Sequence, residues 1–244
     1  TYVIDNSACW RMDPTKKLVI PEINGDVIEE GDRIIANPNC STIQMLVAIA
    51  DLHKRFTIKR IVVSTYQCIT GTGKKAVDQM SAEREGTEPT TVAYPYQIDL
   101  NLLPHIDVFL ENGYTKEEMK MFNETKKIMH SDVNCSAMCV RVPSLRSHSE
   151  SIWIETEKPI SVEEAREAFE KFEGVQLMDD PANKKYPMPL FLAGTDDIYV
   201  GRIRKDLANE NGLTFWIVGD QIKKGAALNA VQIAEYLIKV GNVK

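Results

Sequence analysis

The sequence has no apolar run near the roughly 20 residues that a membrane-spanning helix needs, and no signal-peptide pattern at its first residues. No membrane partner is expected, and the expected location is cytoplasmic. Positive charge is also short: 29 Lys and Arg stand against 35 Asp and Glu, for a net charge of −6. The basic footprint of a nucleic-acid binder is missing, although a few local arginines still suffice for a small anion. Histidine is scarce. His53, His105, His130 and His148 are scattered, and none stands at ligand spacing with a cysteine pair, so no metal site is expected. The five cysteines, Cys9, Cys40, Cys68, Cys135 and Cys139, are odd in number and irregularly spaced, which is not a disulfide framework. They fit a reduced compartment. A full Gly-rich dinucleotide fingerprint is absent as well; the fragment TGTG (Thr70, Gly71, Thr72, Gly73) is all that resembles one.

What is present is the composition of a globular protein, 43% hydrophobic and 26% charged over 244 residues. Short apolar strands are expected at TYVID, at LVIPEIN up to Pro21, and at Arg33–Asn37. A helix is expected from Cys40 to about Phe56, with Asn39 as its N-cap and Ile43, Leu46, Val47 and Ala50 on its buried face. Gln44 is expected off that face. Ile58–Gln67 has the β-branched density of a buried strand, followed by the glycine turn and a helix from Lys74 to about Glu83. This alternation predicts α/β architecture. Residues 85–110 show no period and are expected to be irregular. Thr115 should cap a helix to Met129 with Glu118 closing a capping box, and Met119, Phe122 and Ile128 should point inward. Strands follow at Ser136–Pro143 and Ser151–Thr156, a helix at Val162–Phe172, and a strand pair at Asp197–Arg204 and Leu213–Val218. The last helix, Gly225–Val240, should bury Ala227, Val231, Ala234, Tyr236 and Leu237. No internal repeat is visible.

NPNCST places Cys40 in the first turn of a helix, directly after a strand and a proline turn. Unpaired amides and the positive end of the helix dipole favour a thiolate there. Such settings lower a thiol from its usual pKa of ~8.5, and the same amides could hold an oxyanion. A cysteine there is equally compatible with a small buried residue. In RVPSLRSHSE, Arg141 ends a strand and His148 lies in a polar turn. An imidazole suits proton transfer near neutrality, and the guanidinium fork suits a carboxylate. Solvated side chains are the plainer reading of that pair. Glu117 and Lys120 share a helix face, where a wet ion pair is the usual outcome.

Taken in order, DNSACWRMDP, IIANPNCSTIQM, VVSTYQCITGTG, GYTKEEMKMFNETKKI, RVPSLRSHSE, VGRIRKDL and KGAALNAVQIAE resemble the aspartate-β-semialdehyde dehydrogenases. The resemblance runs from residue 1 to about 241, and residues 84–93 carry least of it. The PNCST form separates it from N-acetyl-γ-glutamyl-phosphate reductase. The resemblance implies an α/β fold: an α+β catalytic domain with a mixed sheet, plus remnants of a Rossmann-like cofactor domain. It implies residues 1–39 as a remnant of the NADP-binding domain, 40–220 as the catalytic and dimerisation domain, and 221–244 as a helix returning to the NADP-binding domain. The family's Gly-rich diphosphate loop is not found in this sequence, so weak NADP binding by the chain is expected.

By the same resemblance Cys40 matches the nucleophile, His148 the general acid/base and Gln67 the residue orienting the intermediate. Arg141 matches the grip on the α-carboxylate and Glu117 the α-amino contact. Arg11, Lys120 and Asn39 match the phosphate site, and Thr70, Gly71, Gly73 and Asn229 the cofactor contacts. The family's Ser-Gly-Ala-Gly is Thr70-Gly71-Thr72-Gly73 in this chain. The implied reaction is NADP-dependent reduction of 4-phospho-L-aspartate to L-aspartate 4-semialdehyde, with release of phosphate, through a Cys40 thioester. It would serve lysine, threonine and methionine synthesis in a homodimer or a dimer of dimers. The alternatives are an inert dimerisation and substrate-binding module, or a related acyl-phosphate reductase. Arg141 and Glu117 together favour an amino-acid substrate.

Overall fold

The computed structural model describes residues 1–242; the last two residues of the segment 221–244 lie outside the described residues. Two sheets organise the chain. Strands β1 (Val3–Asp5), β2 (Lys17–Leu18) and β3 (Ile34–Ala36) form a small parallel sheet in the order β1-β3-β2. Only Lys17–Leu18 of the expected second strand is paired, because Pro21 opens a single helical turn, α1 (Pro21–Asn24). Proline suits a first helical position, where its missing N–H costs nothing.

Helix α2 (Cys40–Phe56) starts and stops where the sequence pattern places it. The side-chain oxygen of Asn39 accepts the amides of Ser41 and Thr42 at 3.0 and 3.2 Å. Thr57, in the left-handed region at φ 57°, ends the helix. The expected one-sided face is too narrow, however. Residues 41 through 49 are all buried, Gln44 included, so α2 is a central helix enclosed on every side.

Strand β4 (Ile58–Gln67) is the second strand of a six-stranded mixed sheet. The others are β5 (Asn134–Arg141), β6 (His148–Thr156), β7 (Val175–Leu177), β8 (Ile198–Lys205) and β9 (Gly212–Gly219), in the order β5-β4-β6-β9-β8-β7. The β4–β5 and β7–β8 pairs are parallel and the rest antiparallel. His148 begins β6 instead of lying in the preceding turn, as was expected. Ile61, Val63, Thr65 and Gln67 face the helical layer, while Val62, Ser64 and Tyr66 alternate to an open face and stay half-buried.

The helical layer holds α2, α4 (Lys116–Met129) and α5 (Val162–Lys171). Helix α3 (Lys74–Glu85) lies beside residues 86–110, which are irregular but anchored: Ile69, Ala76, Met80, Tyr94, Ile98 and Leu103 form their own apolar cluster. Helix α4 carries the expected capping box of Thr115 and Glu118. Its buried face is Glu117, Met121, Glu124 and Ile128, whereas Met119 and Phe122 are half-buried. The helix is rotated because two carboxylates, not two apolar side chains, face the interior.

The single turn α6 (Pro189–Leu192) packs on β9. A wide π-helical turn, Lys223–Ala227, leads into α7 (Leu228–Lys239). That helix returns to the small sheet, where Ile233 and Leu237 pack with Val19, Ile28 and Ile35. Val231 is 52% exposed and Ala227 is also exposed, against expectation. The π turn delays the start of α7, so a different face meets the sheet. Among the described residues no helix is long and apolar enough to cross a membrane.

Candidate active site

The carboxyl ends of β3, β4 and β5 and the first turn of α2 converge on a cavity of about 610 Å³. Cys40 lies on its floor, half-buried, with Asn39, Gln67, Thr70, Gly71 and Arg141 around it. Under the sulfur lies His148, which is fully buried. Its Nε2 is 3.3 Å from Cys40 Sγ, and its Nδ1 accepts the Cys68 backbone N–H at 3.1 Å. Burial first, and then the Arg141 guanidinium, hold this imidazole well below its ordinary pKa.

The Cys40 thiol is pushed up to about 12. Burial is the main cause and the Glu117 carboxylate the next, with Arg141 and the Ser41 amide pulling the other way. The sequence led to the expectation of a lowered thiol pKa; burial raises it instead. The Ser41 amide is shared between the sulfur and Asn39, and those of Thr42 and Ile43 turn to Asn39, so lost hydration dominates.

Glu117 is not the exposed ion-pair partner that its position three residues before Lys120 suggests. It is 6% exposed and sits at the centre of a network. Its Oε1 accepts from Asn39 Nδ2 at 2.9 Å and Gln67 Nε2 at 3.3 Å, and its Oε2 accepts from Lys120 Nζ at 3.0 Å. Lys120 also donates to Asp107 at 2.9 Å. Burial works against the lysine charge, but Glu117 and Asp107 outweigh it and raise its pKa. Arg141 donates to the Cys68 carbonyl at 2.6 Å and lies 6.0 Å from the Tyr94 ring centroid. Its buried Nε has no protein partner.

Arg11 lines the cavity with all three guanidinium nitrogens engaged, to Asn37 O, Asn6 O and Glu124 Oε1. Glu124 also accepts the Asn39 amide at 2.7 Å, and burial raises its pKa against the pull of Arg11. The structure therefore brings together Cys40, His148, Gln67, Arg141, Glu117, Arg11, Lys120, Asn39, Thr70 and Gly71. Gly73 and Asn229 do not join them. Gly73, at φ 94°, precedes α3 with open space around it. Asn229 is fully buried, with its amide donating to Val19 O and Asn37 Oδ1 and its oxygen accepting from Lys224.

Sequence reasoning missed Glu124, Asp107, Gln221 and the Cys68 amide. Glu124 carried a usable signal: it stands seven residues after Glu117, two turns along the same face. The others are brought in by chain segments far apart in sequence, with no local pattern.

A family model described as semialdehyde dehydrogenase, dimerisation domain, matches residues 49–224. Aspartate-semialdehyde dehydrogenase of Aquifex aeolicus (strain VF5) is 55% identical over 98% of this chain and 73% of its own length. The chain belongs to the aspartate-semialdehyde dehydrogenases. The Bacillus subtilis (strain 168) member of the family is 46% identical, over 99% of this chain and 73% of that protein. The crystal structure of aspartate semialdehyde dehydrogenase II from Vibrio cholerae superposes with a TM-score of 0.93 at 41% identity, covering 98% of this chain and 73% of that one. A second structure of that enzyme is complexed with ASA. Aspartate-semialdehyde dehydrogenases are oxidoreductases of amino-acid biosynthesis, and this chain carries their dimerisation domain. The mixed α/β fold expected from the sequence is the one observed.

Proposed function

We propose that the chain reduces 4-phospho-L-aspartate to L-aspartate 4-semialdehyde, with NADPH as reductant and a thioester on Cys40 as the intermediate. The observation that carries the proposal is the 3.3 Å approach of Cys40 Sγ to His148 Nε2 at the floor of a cavity lined by Arg141, Glu117, Lys120 and Arg11. A guanidinium and a carboxylate that line one cavity with the sulfur match the two charges of an amino acid. Arg11, Lys120 and Asn39, which line the same cavity, would take the expelled phosphate. Gln67, held by Glu117 and Thr65, orients the acyl group. His148 serves the carbonyl oxygen as its charge changes.

The cofactor fit rests on bare backbone beside the sulfur. A Cβ at Gly225 would stand 3.1 Å from Cys40 Cβ, and one at Gly71 3.2 Å from Arg141 Nη1. A flat nicotinamide ring suits such a cleft, with Thr70 and Gly71 as the residues that would hold it. When bound, NADPH supplies hydride to the acyl carbon. Residues 1–39 and the helix of 221–244 are assigned to the cofactor domain, and 40–220 to catalysis and dimerisation. The open sheet face, where Tyr66 and Trp216 rings lie 5.5 Å apart beside half-buried Trp153 and exposed Met138, is assigned to a homodimer contact. Lysine, threonine and methionine synthesis in the cytoplasm is the expected setting.

Mass spectrometry of the acyl-enzyme tests the assignment. Label on Cys40, lost in Cys40→Ser, is expected; label on another cysteine overturns it.

A further inference from the structure

The ring of His148 is fixed at both nitrogens. Nδ1 faces the Cys68 backbone N–H at 3.1 Å. An amide nitrogen only donates, so Nδ1 must accept, and the proton of the neutral ring sits on Nε2, facing Cys40 Sγ at 3.3 Å. The chain before the ring is braced in an unusual conformation. Ser147 lies in the left-handed region at φ 71°, a cost a non-glycine residue bears only where neighbours hold it. Its N–H donates to Gln221 Oε1 at 2.8 Å. Gln221 Nε2 donates to Thr70 Oγ1 at 2.6 Å, and that hydroxyl donates to Leu145 O at 2.6 Å. Thr70 stands two residues after Cys68. One staple thus joins the loop that carries the imidazole to the turn that supplies the amide.

We propose that the Cys68 amide locks His148 as the neutral Nε2–H tautomer, with Gln221 as the positioning residue that holds the two loops together. The ring therefore donates to sulfur and to the acyl oxygen and does not accept the Cys40 thiol proton. This rests on the thioester reading given above. Moving the ring proton to Nδ1, or adding a second one, would set N–H against N–H in a fully buried place. The raised thiol and the lowered imidazole agree, since both disfavour a thiolate–imidazolium pair.

The proton balance closes without a histidine base. The Sγ–C bond forms, the C–O bond to phosphorus breaks, and the thiol proton leaves on the expelled hydrogen phosphate. After the acyl carbon receives hydride, the oxygen's negative charge meets the Nε2–H. The C=O bond then re-forms, the C–S bond breaks, and the sulfur departs as a thiolate facing the same N–H. Water returns its proton.

Nitrogen-15 spectra of the imidazoles in the intact protein test the lock, with the His148 signals assigned by their loss in His148→Asn. A neutral Nε2–H ring is expected in wild type and in Cys40→Ser. An Nδ1–H ring or an imidazolium at neutral pH overturns the proposal. Rapid-quench measurement of phosphate release tests the proton route. His148→Asn should keep the phosphate burst within about tenfold while slowing reduction by roughly 10²-fold or more. A burst present in wild type and lost in His148→Asn overturns the lock alone. No phosphate release from wild type in the absence of NADPH overturns the thioester reading together with it. Gln221→Ala should give mixed tautomers and a lower kcat at nearly unchanged substrate KM. Gln221→Glu, which keeps the acceptor for Ser147 but loses the donor to Thr70, should recover only part of the loss. An unchanged ring spectrum and kcat in Gln221→Ala would remove Gln221 from the account.

Discussion

Asn39 turns its side-chain oxygen to the first turn of α2 and its side-chain nitrogen to Glu117 Oε1, 2.9 Å away. One amide thus caps the helix that carries Cys40 and steadies the carboxylate opposite it. The two jobs are separable. Asn39→Ala should cost about 0.5–2 kcal/mol of stability through the lost cap. Asn39→Ser should restore most of that in urea titrations, yet leave kcat/KM low, because serine does not reach Glu117. Equal recovery of stability and activity would show that only the cap matters.

Glu117 is the second cause, after burial, of the raised Cys40 thiol. Removing its charge should lower the thiol pKa, since one negative neighbour fewer favours thiolate. In Glu117→Gln, alkylation of Cys40 by iodoacetamide near neutral pH is expected to quicken several-fold, read by mass spectrometry at that cysteine, while turnover falls. A slower alkylation would mean that Glu117 acts on the sulfur mainly through hydrogen bonds.

Glu150 is fully buried, has no protein hydrogen-bond partner on either oxygen, and is pushed well above the usual carboxylate range by burial. The sign follows directly. The folded chain keeps this proton, the unfolded chain releases it above a pKa of about 4.3, and stability is lost as pH rises beyond that value. Glu150→Gln should therefore be stabilising near neutral pH. The gain should vanish in acid, where both states are protonated. Thermal melts of the two proteins across pH decide it, and a gain independent of pH would assign the effect to packing.

Gly71 leaves no room for a methyl group without a shift. An added Cβ would meet Arg141 Nη1 at 3.2 Å and His148 Cε1 at 3.7 Å. Gly71→Ala should displace the guanidinium by a few tenths of an ångström, raise substrate KM and lower kcat, with little change in melting temperature. Wild-type kinetics in this variant would show that Arg141 is free to adjust.

The frame of the site was legible in the sequence. NPNCST announces the start of α2 because a strand end, a proline and an N-capping asparagine have one common solution. The capping box of Thr115 and Glu118 did the same for α4. The face that α4 buries was not legible. Apolar periodicity points to Met119 and Phe122, but the interior needs Glu117 and Glu124 for Asn39, Gln67 and Arg11. A buried carboxylate reads as a solvated one until its partners are placed. Gln44 within α2 also misled: it is buried although neither of its side-chain polar atoms has a hydrogen-bond partner. The link of Gln221 to Ser147 spans 74 residues and has no local signature.

The π turn of Lys223–Ala227 places Gly225 against Cys40 and Gln44 and then releases the chain into α7. A π turn holds one residue more than the α-helix it interrupts. Excising one residue there, Ala226 for instance, should tighten it to an ordinary α turn with the phase of α7 nearly unchanged, because roughly five π residues turn the chain as far as roughly four α residues. Ile233 and Leu237 would then keep their places against Val19 and Ile35, while Gly225 would be drawn from Cys40 and Gln44. The single surplus residue acts as a local bulge: it lets one continuous stretch of chain touch the nucleophile at one end and clamp the small parallel sheet at the other.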